Sequence, residues 1–166
     1  MPTSMVDKQL YFVTDRNLGK LAKWLRLMGF DTQCEPVGPL NDLIVSLFWQ
    51  RVEPHRKFLV RSRQLMYAMA SQKPLLILSN YPFEQLQQVI RFFELKLKDL
   101  KPFTRCTLCN TLLKRIEKQK IYGYVPDYVW QTQYEFRQCL GCKRIYWPGS
   151  HKERSMIRLE QFFDDL

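Results

Sequence analysis

The sequence predicts an α/β protein, a parallel sheet flanked by helices with a small cysteine-bearing module added to it. Strand-like and helix-like patterns alternate four times over about the first 95 residues. The alternation stops at Lys96–Pro102. Beyond that break, two C-x2-C pairs and alternating aromatic residues replace the βα rhythm.

Gln9–Thr14 is a short β-rich apolar run, as a buried strand shows, and it ends at Asp15. A helix follows, with Leu18, Leu21, Ala22, Leu25 and Met28 on one face and Gly29 at its C-terminal cap. Lys20, Lys23 and Arg26 lie mostly off that face, so they read as a solvated surface. Phe30–Cys34 forms a second short strand, and Pro36, Gly38 and Pro39 mark a loop. Asn41-Asp42 then caps a second helix through about Gln50. Lys57–Arg61 is a third strand, with Ser62 as N-cap of a helix through about Ala70. Pro74–Leu78 is a fourth strand, followed by a helix from Ser79–Pro82 with Leu86, Val89, Ile90 and Phe93 inward. Arg154–Leu166 is an amphipathic helix whose apolar side is Met156, Leu159, Phe162, Phe163 and Leu166.

In a parallel sheet, binding sites form beyond the carboxyl ends of the strands. Asp15, Arg61-Ser62 and Ser79-Asn80 fall at such ends, and Asp42 at a helix start nearby. Asp15 also suits a turn or N-cap, and Asp42 a first-turn acid favoured by the helix dipole. His55 and His151 are isolated in the sequence, which gives a histidine-based nucleophile no support.

The 166 residues are 46% apolar, enough for a core and too many for a disordered chain. No apolar stretch approaches the roughly 20 residues that span a bilayer. The first eight residues have no apolar signal core, so the expected location is cytoplasmic, where thiols stay reduced. The charge is 26 basic against 16 acidic side chains, or +10, and residues 103–152 hold 9 basic to 3 acidic. A polyanion partner is the expectation, nucleic acid first and no membrane.

Cys106-Thr-Leu-Cys109 and Cys139-Leu-Gly-Cys142 are separated by 29 residues, room for a β-hairpin. Two residues between thiolates let a tight knuckle aim both sulfurs at one ion, and two knuckles complete a tetrahedron. Four thiolates leave no open position, so a zinc here is structural, and an iron–sulfur cluster would use the same ligands. Cys34 lies outside the set and reads as a buried thiol. Arg105, Lys114, Arg115, Lys118, Lys120, Arg137, Lys143 and Arg144 interleave with Tyr146 and Trp147 around the knuckles. Such cations bind phosphates while rings stack on bases. Tyr146 and Trp147 suit stacking and the ribbon's own small core equally.

Three segments resemble a known family, the Mut7-C ribonuclease domain. They are Asp15-Arg-Asn-Leu-Gly-Lys-Leu-Ala-Lys-Trp-Leu-Arg-Leu-Met-Gly-Phe-Asp31, Arg105-Cys-Thr-Leu-Cys-Asn110 and Cys139-Leu-Gly-Cys-Lys-Arg-Ile-Tyr-Trp-Pro-Gly-Ser-His151. The resemblance runs in order over about residues 10–160. It implies a PIN-like α/β fold over residues 1–102, a zinc ribbon over 103–150, and a helix at 151–166 that packs back on the body. It further implies RNA as substrate, single-stranded or structured, with transfer RNA or a ribonucleoprotein among the candidates. Mg²⁺ or Mn²⁺ would be held by carboxylates, with Asp15 matching the first acidic position and Asp42 the second. Lys20 and Arg61 would then stand near the scissile phosphate, and Arg105, Arg144 and Trp147 would hold substrate. At the third position the family reads Leu-Leu-Thr-Arg-Asp-Arg-x-Leu, whereas this chain has Phe58-Leu-Val-Arg-Ser-Arg-Gln-Leu65, with Ser62 in place of the aspartate. That departure motivates an alternative: a catalytically degenerate relative that binds RNA or a ribonucleoprotein without cutting it.

Overall fold

The computed structural model describes residues 10–35 and 47–164. Tyr11–Thr14 (β1), Asp31–Cys34 (β2), Lys57–Val60 (β3) and Leu75–Leu76 (β4) form a parallel sheet in the order β2-β1-β3-β4. The β-branched and aromatic residues of these runs alternate between two buried faces, as a sheet covered on both sides requires. Phe12, Leu59 and Ile77 point to one face. There they meet Leu21, Leu25 and Met28 of the first helix segment, and Leu86, Val89 and Ile90 further along. Val13 and Phe58 point to the other face, against Val52, Met69, Phe48 and Trp49.

Gly19–Leu27 (α1) follows a short 3₁₀ turn at Arg16–Leu18, Arg63–Ala68 (α2) follows β3, and Pro82–Phe93 (α3) carries its proline in the first turn. Ser62 caps α2, its hydroxyl accepting from the Leu65 amide at 3.4 Å. Residues 47–50 are helical, while the expected cap at Asn41-Asp42 lies outside the described residues. β4 is shorter than the Pro74–Leu78 run predicts. The Gln88 side chain explains this, because it takes the Leu76 carbonyl at 2.7 Å and the Leu78 amide at 3.1 Å in place of another strand.

Leu113–Ile116 (β5), Phe136–Cys139 (β6) and Ile145–Tyr146 (β7) form a separate antiparallel sheet. The spacer between the cysteine pairs is not a plain hairpin. It carries the helix Asp127–Thr132 (α4), which closes a small core of Ile121, Val125, Val129 and Phe136 with Trp130 and Trp147 against it.

Two features seat this ribbon on the body. The Lys101 and Phe103 amides donate to the carbonyls of Met28 and Leu27, at 2.9 and 3.0 Å. Gly29, at φ +96°, must be glycine, because a Cβ there would lie 2.3 Å from the Lys101 carbonyl oxygen. Ser150–Asp164 (α5), which begins four residues earlier than the sequence predicts, returns to the body. Leu159 is buried in the main core, and Phe162 meets Phe83, which meets Trp24 of α1.

Candidate functional site

In the order β2-β1-β3-β4, the chain leaves β1 toward one side of the sheet and β3 toward the other. A crevice opens between two such strand ends. Asp15 occupies this switch point, 1% exposed. One carboxylate oxygen accepts from the Asn17 amide at 2.9 Å and the other from the Arg61 amide at 2.5 Å. The carboxylate thus caps the turn into α1 and ties the end of β1 to the end of β3. Each oxygen keeps a further lone pair for a ligand.

The other expected acids behave differently. Asp42 lies outside the described residues. Ser62 is committed to its N-cap bond and carries no charge. Glu53 pairs with Arg56, and Glu84 accepts from the Ser79 hydroxyl, so neither stands in for the missing aspartate. The acid nearest in register to Asp15 is Glu35, which sequence reasoning missed. It is 5% exposed and directly follows β2, and its amide donates to the Thr14 carbonyl at 2.9 Å. Its position after β2, matching that of Asp15 after β1, was the available signal. The two acids thus follow adjacent parallel strands in register, one after β1 and one after β2.

Lys20 is exposed in the first turn of α1. Arg61, expected near the scissile phosphate, uses its guanidinium on the Ile77 and Ser79 carbonyls, at 2.9 and 2.7 Å, and on Asn80. It therefore braces β3 against the exit of β4 and presents its backbone amide to Asp15.

The four cysteine sulfurs lie within 4.8 Å of one another. Cys106 and Cys142 are 3.6 Å apart and Cys109 and Cys139 3.2 Å. A tetrahedron of sulfurs about 2.3 Å from zinc has edges of roughly 3.8 Å, so this arrangement fits zinc. The knuckles repeat each other: the Cys109 amide points at Cys106 Sγ and the Cys142 amide at Cys139 Sγ, both at 3.4 Å. A Cβ at Gly141 would sit 2.7 Å from Thr111 Oγ1, so a side chain there would displace the threonine that bonds Cys109.

Burial pushes the Cys109 thiol up, but bonds from Thr111 outweigh it and bring it down to about 6. The Arg144 amide lowers Cys142, but burial and three neighbouring sulfurs push it up to about 12. Four thiolates this close repel one another. Zinc bound here would neutralise the thiolates and fix both knuckles. The Tyr146 hydroxyl and Cys106 Sγ share a hydrogen bond at 3.0 Å, which ties that ring to the cysteine cluster.

The first knuckle is locked to the body by a polar clamp. Arg26 is not a solvated residue: it is 7% exposed, because Nε donates to the Thr32 carbonyl while Nη1 reaches the Thr107 and Leu108 carbonyls at 3.1 and 2.8 Å. Asp31, at the opposite strand end from Asp15, accepts from Arg56 at 2.8 Å, Asn110 at 2.8 Å and Arg105 at 3.2 Å. Burial pushes the Asp31 carboxyl up, but the hydrogen bonds from Arg56 and Asn110 prevail and hold it below its ordinary range. Asn110, at φ +70°, turns its other amide atom to the Thr32 N–H at 3.0 Å.

Of the residues expected to hold substrate, Arg105 belongs to this clamp, Arg144 is exposed beside the second knuckle, and Trp147 is half-buried against the ribbon core. Cys34 is half-buried rather than buried, its thiol pointing to the Asp15 carbonyl at 3.8 Å. His55 stacks edge-on against Tyr11. Among the described residues, no helix is long and apolar enough to cross a membrane.

No curated protein and no solved structure matches the chain. The family model described as the Mut7-C RNAse domain matches residues 10–159, nearly the whole chain. Body, switch-point aspartate and cysteine ribbon all fall inside that span, and the chain belongs to the Mut7-C RNAse domain family.

Proposed function

We propose that this protein is an RNA-directed, Mg²⁺- or Mn²⁺-dependent ribonuclease whose zinc ribbon assists RNA binding. The observation that carries the reading is Asp15: a buried carboxylate at the switch point, held by two backbone amides and still able to accept a ligand. A hard cation bound there would supply Lewis acidity and an activated water for phosphodiester hydrolysis. Asp15 would hold it together with Asp42. Lys20, on the first turn of α1, would attract the phosphate, while Arg61 keeps the two strand ends in register around the acid. The net charge of +10 favours association with a polyanion.

Ser62 favours a second reading, RNA binding without cleavage, because a neutral capping hydroxyl adds no charge for a cation. Cleavage of single-stranded RNA with added Mn²⁺ separates the two. The nuclease reading expects cleavage that needs Mn²⁺ and falls at least tenfold in Asp15→Asn. Zinc content and circular dichroism would verify that this variant is folded, and Lys20→Gln provides a milder second variant. Salt-sensitive binding with no Mn²⁺-dependent turnover would overturn it in favour of the second reading.

A further inference from the structure

A cavity of about 240 Å³ lies in the seam between the ribbon and the body, and Asp15 is not among the residues that line it. Leu27, at the end of α1, and Phe103 form one wall; Leu113, Tyr146 and Trp147 of the ribbon form another. Arg105 and Arg137 line it together with the acid Glu135. It is smaller than the roughly 300–1,000 Å³ of a drug-sized pocket, which suits a single flat ring.

The strand register adds a second observation. Arg115 of β5 pairs with Arg137 of β6, and Arg137 pairs in turn with Tyr146 of β7. Residues opposite one another in an antiparallel sheet put their side chains on the same face, where like charges repel. Both arginines are exposed. Arg137 uses one N–H on the Phe103 carbonyl at 3.1 Å, and neither has an acidic partner among the described residues. Two cations set face to face beside a ring-lined cavity form a place where an anion relieves the repulsion.

We propose that this seam is a nucleotide-binding subsite for single-stranded RNA. A base enters the cavity beside Trp147 and Tyr146, the adjoining phosphate lies across Arg115 and Arg137, and the Glu135 carboxylate accepts from a base amino group. The inference rests on RNA being the partner and adds where the chain is gripped. α1 begins four residues after Asp15, and its nine residues, Gly19–Leu27, span about 14 Å to the cavity wall at Leu27. The subsite is therefore an anchor, distant from the proposed hydrolytic centre.

The test is fluorescence anisotropy of zinc-loaded full-length protein with a labelled single-stranded RNA, across a salt series, for wild type, Arg115→Gln, Arg115→Gln/Arg137→Gln and Arg91→Gln, an exposed cation of α3 in the body. The double variant is expected to bind roughly tenfold more weakly, and its slope of log affinity against log salt to fall by about 1–2. Arg115→Gln alone breaks no hydrogen bond or ion pair in the fold and should show part of both effects, while Arg91→Gln should stay within about twofold of wild type. In 4-thiouridine-substituted RNA, cross-links should map to the peptide holding Tyr146 and Trp147. Unchanged affinity and salt slope in the double variant, or cross-links confined elsewhere, would overturn the subsite while leaving RNA binding intact. No RNA binding by the wild type would overturn the underlying reading.

Discussion

The cysteine centre of the ribbon and the acidic crevice of the α/β body differ in how completely the chain supplies them. In the ribbon, four sulfurs from two matching knuckles already stand at near-tetrahedral separations. In the body, Asp15 and Glu35 stand at adjacent strand ends, and the third acidic position is occupied by the neutral Ser62. A closed, soft-ligand site serves stability, because nothing can exchange there. An acidic site with open positions serves chemistry and depends on what else approaches it. The Arg26–Asp31–Asn110 clamp ties the first knuckle to the body.

The largest way to break this contrast is to remove zinc. Chelation, or Cys139→Ser, should unfold the ribbon, since structural zinc contributes on the order of 10 kcal/mol in small metal-folded units. Metal analysis should return about one zinc per chain for the wild type. Circular dichroism after chelation should show the antiparallel sheet lost and most of the body retained. Full structure without metal would contradict the role assigned to the knuckles.

The clamp comes next. Asp31→Asn leaves Arg56 and Arg105 facing a neutral partner and should cost about 2 kcal/mol in denaturant unfolding. The folded pKa of Asp31 lies below its unfolded value. Its contribution is therefore fully present above the unfolded carboxylate value of about 4 and fades as pH falls through the folded one. The gap between wild type and Asp31→Asn should close on acidification below about pH 4. A gap independent of pH would remove the charge from the explanation.

Ser62→Asp sharpens the comparison with the smallest structural effect. Aspartate caps a helix as well as serine does, so stability should move by no more than about 0.5 kcal/mol. Mn²⁺-dependent RNA cleavage should nevertheless rise, by about tenfold, because a carboxylate replaces a neutral donor. Unchanged turnover in a folded variant would detach this position from the site.

How much of this was legible depended on whether the determining contacts were local. The C-x2-C pairs carry their chemistry within four residues each, so the metal centre was readable from spacing. The strand runs ending in Asp15 and in Arg61-Ser62 were likewise readable, because a parallel sheet fixes where their ends lie. Arg26 was not. It shares its helix with the exposed Lys20 and Lys23, and only the return of Thr107 and Leu108, 81 and 82 residues later, turns it into a buried clamp. The helix inside the cysteine spacer was missed for a related reason: Val125 and Val129 face inward only once Ile121 and Phe136 close over them. Glu35 escaped notice because its significance lies in the β1–β2 register, which becomes definite when the strands pair.

The central claim, that Asp15 helps to hold a divalent cation in this crevice, is tested most directly by paramagnetic broadening. Substoichiometric Mn²⁺ added to ¹⁵N-labelled, zinc-loaded protein should first erase the amide resonances of Asn17 and Arg61, whose N–H groups bond the Asp15 carboxylate. Signals from Lys114 and Gln138 in the ribbon sheet should persist. Broadening that spares Asn17 and Arg61, or that is the same in Asp15→Asn, would contradict the account.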